Sequence, residues 1–256
     1  MKLYISVINH GHDELITSRE TLTTLAKDYA VIIRSNTPPT DRLSQYAINA
    51  AIHLIHDGCV KGFAANNNAV FDYCENQLGM TENDYFLVLN PDVDIASESL
   101  EQLLSLSKAR NSDISAINLF RDEALTIYDN SIRHYHQLLA PLKSLLGIKR
   151  KDIYDKDAIS TPIEIDWAAG SFLLFKAECF SKLEGFDEKY FMYFEDADLC
   201  TRANRAGYKV TYFPSIKAIH LASHQNRKML SKHFGWYVKS LLRYHINSLK
   251  YHPKKY

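Results

Sequence analysis

Apolar residues along this chain follow two alternating rhythms. Short runs rich in β-branched and aromatic residues stand at Lys2–Val7, Ala30–Arg34, Tyr85–Leu89, Ile114–Leu119 and Asp166–Phe175. They read as strands, several apolar throughout, as strands buried on both faces are. Between them the spacing becomes helical. Residues 13–28 form one such stretch. Arg42–Ile55 is another, with apolar positions at 43, 47, 48, 51, 52 and 55. Asn67–Leu78 reads as a helix stopped by Gly79, and Glu98–Arg110 as one capped by Ser97 or Ser99. Further on, Ala177–Leu183 is a short helix ended by Gly185, and Glu195–Ala206 a helix ended by Gly207. Val210–Phe213 and Ile216–His220 are extended, and Met229–Leu249 is one long basic, aromatic helix. The stretch 120–165 is less regular, with a helical pattern over Ile132–Leu146 broken at Pro141 and a polar loop over 148–163.

Strands alternating with helices predict an α/β fold with a doubly wound, mostly parallel sheet. Ligands of such sheets bind beyond the carboxyl ends of the strands. Asn90-Pro91-Asp92-Val93-Asp94 follows a strand directly and puts carboxylates at that edge. Carboxylates there suit a hard divalent ion, although Asp-rich turns after strands are also ordinary structure. Tyr193-Phe194-Glu195-Asp196-Ala197-Asp198 opens a helix with three acids. Favourable charge at a helix N-terminus explains one or two of them. The aromatic run before them, Tyr190 to Phe194, would shield them from water and raise their pKa, as a general base requires. His220 ends a strand near these acids, with His224 beyond it, and is either structural or a ligand. Asn66-Asn67-Asn68 opens a helix with three amides where capping needs one.

The chain has 256 residues, enough for one large domain, and 46% hydrophobic and 23% charged residues, as globular chains have. The first apolar run is too short for a secretory leader, and no run approaches the ~18–20 residues of a spanning helix. Four cysteines without a CxxC pair suggest a reduced, cytosolic protein. The net charge of zero hides an asymmetry: residues 225–256 carry eight Lys or Arg and no acid. The remainder therefore has 22 basic and 30 acidic residues. These features divide the chain into a domain over 1–225 and a basic segment over 226–256. Phe234, Trp236, Tyr237, Leu241, Leu242, Tyr244 and Ile246 interleave with the basic residues. The tail therefore reads either as a solvated outer helix or as a peripheral helix on an anionic membrane. No nucleic-acid motif accompanies the charge, so nucleic acid is not expected as a partner.

The order of these motifs resembles the family 2 glycosyltransferases of the GT-A fold, a Rossmann-like architecture. The resemblance is carried by Asn9-His10, Ser35-Asn36, Gly62-Phe63-x-x-Asn66-Asn67, Asn90-Pro91-Asp92 and Asp166-Trp167-x-x-Gly170-Ser171. Gly185-Phe186-Asp187, Tyr190 to Phe194, Glu195-Asp196-x-Asp198, Ala206-Gly207-Tyr208 and His220 continue it. It covers about residues 3–227. Leu119 to Ala124 and His224 to Arg227 bring it nearest to bacterial rhamnosyltransferases of O-antigen and related polysaccharides.

The resemblance implies an inverting transferase using a nucleotide diphosphate sugar, dTDP-L-rhamnose first and a UDP sugar second, with a lipid-linked saccharide as acceptor. Asp196 would be the base and Glu195 its neighbouring contact. Asp92, in the place of the family's DxD motif, would bind Mg²⁺ or Mn²⁺ with His220. Asn9, Asn36, Asn66, Asn67, Asn90 and Gly170 would line the donor site with Asp92, and Trp167 and Ser171 the acceptor site. Ser35 departs from the Asp usual after the second strand. The implied location is the inner face of the cell membrane. A nucleotidyltransferase would need a glycine-rich phosphate loop after the first strand, which Asn9-His10-Gly11-His12 does not supply. An inactive assembly protein of the same family would not need intact Asp92, Glu195, Asp196 and His220.

Overall fold

A computed structural model describes residues 1–135, 152–221 and 232–250. The strands are β1 (Leu3–Asn9), β2 (Ala30–Ser35), β3 (His53–Ile55), β4 (Tyr85–Leu89), β5 (Val93–Asp94) and β6 (Ile114–Phe120). They continue as β7 (Ile132–Arg133), β8 (Ile163–Glu164), β9 (Trp167–Ala168), β10 (Phe172–Lys176) and β11 (Val210–His220). Nine of them form one sheet, in the order β3-β2-β1-β4-β10-β6-β11-β5, with β8 added beside β11. β3, β2, β1 and β4 are parallel, β10 runs against both its neighbours, and β6 and β11 are parallel again. β7 and β9 make a separate antiparallel pair.

Helices cover both faces. They are α1 (Asp13–Thr17), α2 (Thr21–Leu25), α3 (Asp41–Asn49), α4 (Phe63–Leu78), α5 (Ser97–Ala109), α6 (Ala177–Lys182), α7 (Glu195–Arg205) and α8 (Lys232–Lys250). The central strands are buried throughout, with all five residues of β4 inaccessible. Alternate residues of each strand enter opposite cores. Ile5, Val7, Leu87 and Leu89 join one core, with α1, α2, α3 and α5. Phe86, Val88, Leu173 and Phe175 join the other, with α4, α6 and α7. Two apolar layers around one sheet are what fully apolar strands require.

Several elements depart from the pattern of the sequence. Residues 13–28 are two helices, because the chain turns at 18–20 to send Arg19 and Thr21 to Asp94. Arg19 Nη1 is 2.7 Å and Thr21 Oγ1 2.5 Å from that carboxylate. The helix expected over Arg42–Ile55 stops at Asn49. Ala51 takes a left-handed φ of 53°, and His53–Ile55 pairs in parallel with β2 instead. Here a free strand edge outweighed a helical spacing that a short apolar run also satisfies. The apolar run Asp166–Phe175 is interrupted by Ala169-Gly170-Ser171 and contributes to two sheets. Conversely, the two extended pieces near 210–220 are one strand with an irregularity between Phe213 and Lys217. Ile132–Arg133, expected to open a helix, is instead strand β7, paired with β9; the rest of that pattern from 136 onward, Pro141, His224 and Arg227 lie outside the described residues.

α8 is packed onto the domain. Tyr244 and Ser240 are buried. Trp236 lies on Phe191 and Tyr237 on Phe194, with ring centroids 4.6 and 5.4 Å apart. Arg243 Nη2 pairs with Asp187 at 2.5 Å.

Candidate active site

The turn after β4 is tied to the loop between β9 and β10, since Asn90 N–H donates to the Ser171 carbonyl at 2.9 Å. Asp92 follows, and β5 then pairs antiparallel with the end of β11. That register sets His220 opposite Val93 and so beside Asp92. His220 Nε2 stands 3.4 Å from Asp92 Oδ1 and Nδ1 3.0 Å from Asp129 Oδ2. Nothing in the spacing of the sequence marked Asp129. It reaches the site because its N–H bonds to the Leu119 carbonyl at the end of β6.

Burial would lower the His220 pKa, but the two carboxylates outweigh it and lift the imidazole to about 9. Burial likewise pushes Asp92 and Asp129 up, and the contact with His220 overrides it and holds both below the ordinary carboxylate range. At neutral pH this is an imidazolium between two carboxylates. Asp129 is flanked by Arg121, 3.9 Å away, and by the buried Lys156, whose pKa burial lowers to about 8.

The second half of the site begins α7. Tyr193 and Phe194 take left-handed φ of 71° and 68°, uncommon for such bulky side chains. Backbone strain of this kind costs about 1–3 kcal/mol per residue and concentrates at functional sites. Here the pair turns the chain so that Glu195 and Asp196 open the helix. Asp196 accepts from Gly170 N–H at 2.9 Å and Ala197 N–H at 2.8 Å. Burial raises its pKa, and these two bonds oppose that. Glu195 is buried, and burial with the neighbouring Asp196 raises its pKa well above normal. Asp198, the third acid, is structural: Arg202 Nε donates to it at 2.8 Å, and Tyr190 Oη lies 3.3 Å away.

Gly170 and Ser171 thus join the two halves, one bonded to Asp196 and the other to Asn90. A side chain at Gly170 would crowd Phe63, 3.1 Å from a Cβ there. Among the described residues, Asp92 Oδ1, Ser171 Oγ, Glu195 Oε2 and Arg121 Nε are buried without a hydrogen-bond partner. Buried polar atoms are nearly always bonded. Asp92 Oδ1 and Arg121 Nε have only the longer ion-pair contacts to His220 and Asp129, so these atoms, with Ser171 Oγ and Glu195 Oε2, keep bonding capacity for a polar ligand.

The remaining expected residues support the cleft from behind. Asn9 is fully buried, its amide nitrogen bonded to Asp13 and Ser35 and its oxygen to His12 N–H. Asn36 pairs with both backbone groups of Lys61. The three consecutive asparagines each clamp a different segment. Asn66 holds Arg34 and the Lys61 carbonyl, Asn67 holds Ser6 and Phe63, and Asn68 holds both backbone groups of Phe186. Trp167 is buried, with its indole N–H donated to the His134 carbonyl and the Arg133 guanidinium 5.4 Å from its ring. Arg133, unmarked in the sequence, also opposes the rise in the Asp196 pKa.

One carboxylate and, once an arriving cation displaces the His220 proton, one imidazole fit a divalent ion that takes its other oxygens from a diphosphate and water. Asp92 Oδ1, which meets only His220 Nε2 at 3.4 Å, keeps capacity for such a role. Among the described residues no cluster of three or more His, Cys, Asp or Glu side chains could hold an ion unaided.

A family model described as the N-terminal domain of galactosyltransferase matches residues 156–225. The rhamnosyltransferase WbbL of Escherichia coli (strain K12) is 36% identical over 244 residues, covering 94% of this chain and 92% of that protein. The chain belongs to the rhamnosyltransferase-like family 2 glycosyltransferases. A more distant relative of this glycosyltransferase is the N-acetylglucosaminyl-diphospho-decaprenol L-rhamnosyltransferase of Mycobacterium tuberculosis (strain ATCC 25618 / H37Rv). It is 28% identical over 165 residues, covering 62% of this chain and 53% of that protein. Among solved structures, GalNAc-T7 with UDP, GalNAc and Mn²⁺ superposes with a TM-score of 0.64 at 14% identity. The match covers 95% of this chain, which spans about half (47%) of that one. S. aureus TarS superposes at 0.56 and 14% identity, over 87% of this chain and 37% of TarS. These two share the fold, and the GT-A architecture expected from the sequence is the one observed.

Proposed function

We propose that this glycosyltransferase moves L-rhamnose from dTDP-L-rhamnose to a lipid-linked saccharide, with inversion, in O-antigen or related cell-surface polysaccharide synthesis. The observation that carries the reading is the single polar chain from Asp196 through Gly170, Ser171 and Asn90 to Asp92 and His220. It joins a carboxylate of raised pKa to a pair of groups suited to a diphosphate-bound cation. The sugar and acceptor classes are supported by the names of the Escherichia coli and Mycobacterium tuberculosis relatives. A UDP-linked sugar is the second reading, supported by the UDP in the GalNAc-T7 structure.

In this mechanism the acceptor hydroxyl attacks the anomeric carbon from the face opposite the diphosphate. Asp196 takes the hydroxyl proton as the new C–O bond forms and the bond to the diphosphate oxygen breaks. The two backbone donors, Gly170 and Ala197, fix the Asp196 carboxylate in place, and Glu195 beside it contacts substrate. Asp92 and His220 would hold Mg²⁺ or Mn²⁺, which neutralises charge on the leaving diphosphate when bound. Asn9, Asn36, Asn66 and Asn67 shape the donor edge through the scaffold they bond, while Asn90, Ser171 and the rim around Trp167 face the substrates. No helix among the described residues is long and apolar enough to cross a membrane. The basic tail and a lipid-linked acceptor support a peripheral position on the inner face of the cell membrane.

The deciding experiment measures thermal stabilisation and turnover with a panel of nucleotide sugars, with Mg²⁺, Mn²⁺ or chelator. Stabilisation by dTDP-L-rhamnose above other donors, lost with chelator, is expected. Preference for a UDP sugar would select the second reading.

A further inference from the structure

The seven apolar residues that the sequence sets among the basic charges of the tail, together with Val238, are sorted by the structure onto two faces of α8. Trp236, Tyr237, Leu241 and Tyr244 turn inward. Tyr237 and Tyr244 pack on Phe194, Trp236 on Phe191, and Ser240 Oγ donates to the Met192 carbonyl at 2.9 Å. That inner face grips the aromatic segment immediately before Glu195 and Asp196. The outer face carries Phe234, Val238, Leu242 and Ile246, with 47, 36, 55 and 55% of each exposed. A spacing of four residues advances about 40° per step, so the row winds over about 120° of the helix surface. Lys239 continues it on one flank and is exposed. Contiguous exposed apolar residues of this kind mark protein or membrane interaction sites.

We propose that this outer row is a bilayer-docking face, which inserts Val238, Leu242 and Ile246 among the acyl chains of an anionic membrane. The inference rests on the peripheral-membrane part of the function proposed above and names the face that performs it. Charge selects the occupant. Residues 225–256 hold eight basic and no acidic residues, so two copies meeting along this helix would repel, whereas anionic headgroups are complementary. The arrangement also has a catalytic consequence. One face of α8 binds lipid and the other the segment leading to Asp196, so the acceptor end of the cleft lies about one helix diameter, ~10 Å, from the headgroups. A lipid-linked acceptor could then reach the base without leaving the bilayer.

The test uses the full chain, because removing α8 would also strip the support of the 190–194 segment. Co-sedimentation with phosphatidylcholine vesicles, with and without phosphatidylglycerol, compares wild type, Leu242→Ser/Ile246→Ser and Ile48→Ser. Ile48 is as exposed as any of the row but lies on α3. The double variant should bind anionic vesicles at least about 10-fold more weakly, and Ile48→Ser should bind as wild type. Thermal unfolding and donor-induced stabilisation should match wild type in all three. Unchanged vesicle binding by the double variant would overturn the docking face while leaving the transferase reading intact. So would a wild-type dimer, seen by light scattering, that the double substitution dissociates.

Discussion

His220 bridges Asp92 and Asp129, with Nε2 3.4 Å from one and Nδ1 3.0 Å from the other. Histidines that ligate metals commonly bond a carboxylate through the far nitrogen, which fixes the ring and its tautomer. Asp129→Ala should therefore weaken Mn²⁺ binding about 10- to 100-fold by calorimetry, with donor diphosphate present. In a His220→Ala background the same change should add little further loss. Equal losses in both backgrounds would mean that Asp129 acts independently of His220.

The same bridge gives a pH dependence to the metal-free protein. The His220 pKa is raised in the fold, to about 9. Its contribution to stability is thus full below its unfolded pKa of about 6.5 and is lost as pH rises through about 9. With chelator present, the melting temperature of wild type should fall across that window relative to His220→Ala. Parallel curves would count against the bridge.

Asp196 and Glu195 have raised pKa values, so activity should rise with pH through a value above the ordinary carboxylate range as the base loses its proton. Asp196→Asn should lower turnover at least ~10²-fold and leave donor affinity near wild type. Wild-type turnover in that variant would remove Asp196 from the mechanism.

Glu195 is held at a cost. A carboxyl whose pKa rises on folding loses stability as pH climbs from its unfolded value through its folded one. Glu195→Gln should then melt above wild type at pH 7 while turning over more slowly, a trade expected of strained active sites. A lower melting temperature would show that the carboxylate is stabilised by contacts other than those seen.

Gly62 touches the same segment from the other side. A Cβ at this position would strike the Phe191 carbonyl oxygen, which already accepts Phe63 N–H at 2.9 Å. Gly62→Ala should cost about 1–3 kcal/mol of stability, as overpacking does, and should displace the Tyr193–Phe194 turn. Denaturant unfolding measures the first effect and turnover of the folded variant the second.

The local signals in this sequence were strong where burial and chain direction agree. β4, the Gly79 stop of α4, the Gly207 stop after α7 and the acids opening α7 follow from short-range patterns. So does the position of Asp92 at a strand end, and motif order alone supported the family. Composition also fixed the charge of the tail. Pairing across the sheet decided the rest, because a free strand edge or a distant carboxylate is invisible in a local window. That is why His53–Ile55 became a strand and Arg19 broke a helix to reach Asp94. It is also why Asp129, with no motif around it, completes the His220 site. The three asparagines of α4 and the acids of α7 look equivalent in sequence. Only the fold separates Asn66, Asn67 and Asn68 by partner, and Asp198 from Asp196, since the role of a polar side chain depends on which group tertiary packing brings within 3 Å. The tail makes the same point: its basic and aromatic content was legible, but which aromatics grip the catalytic segment and which face outward depended on the surface α8 lies against.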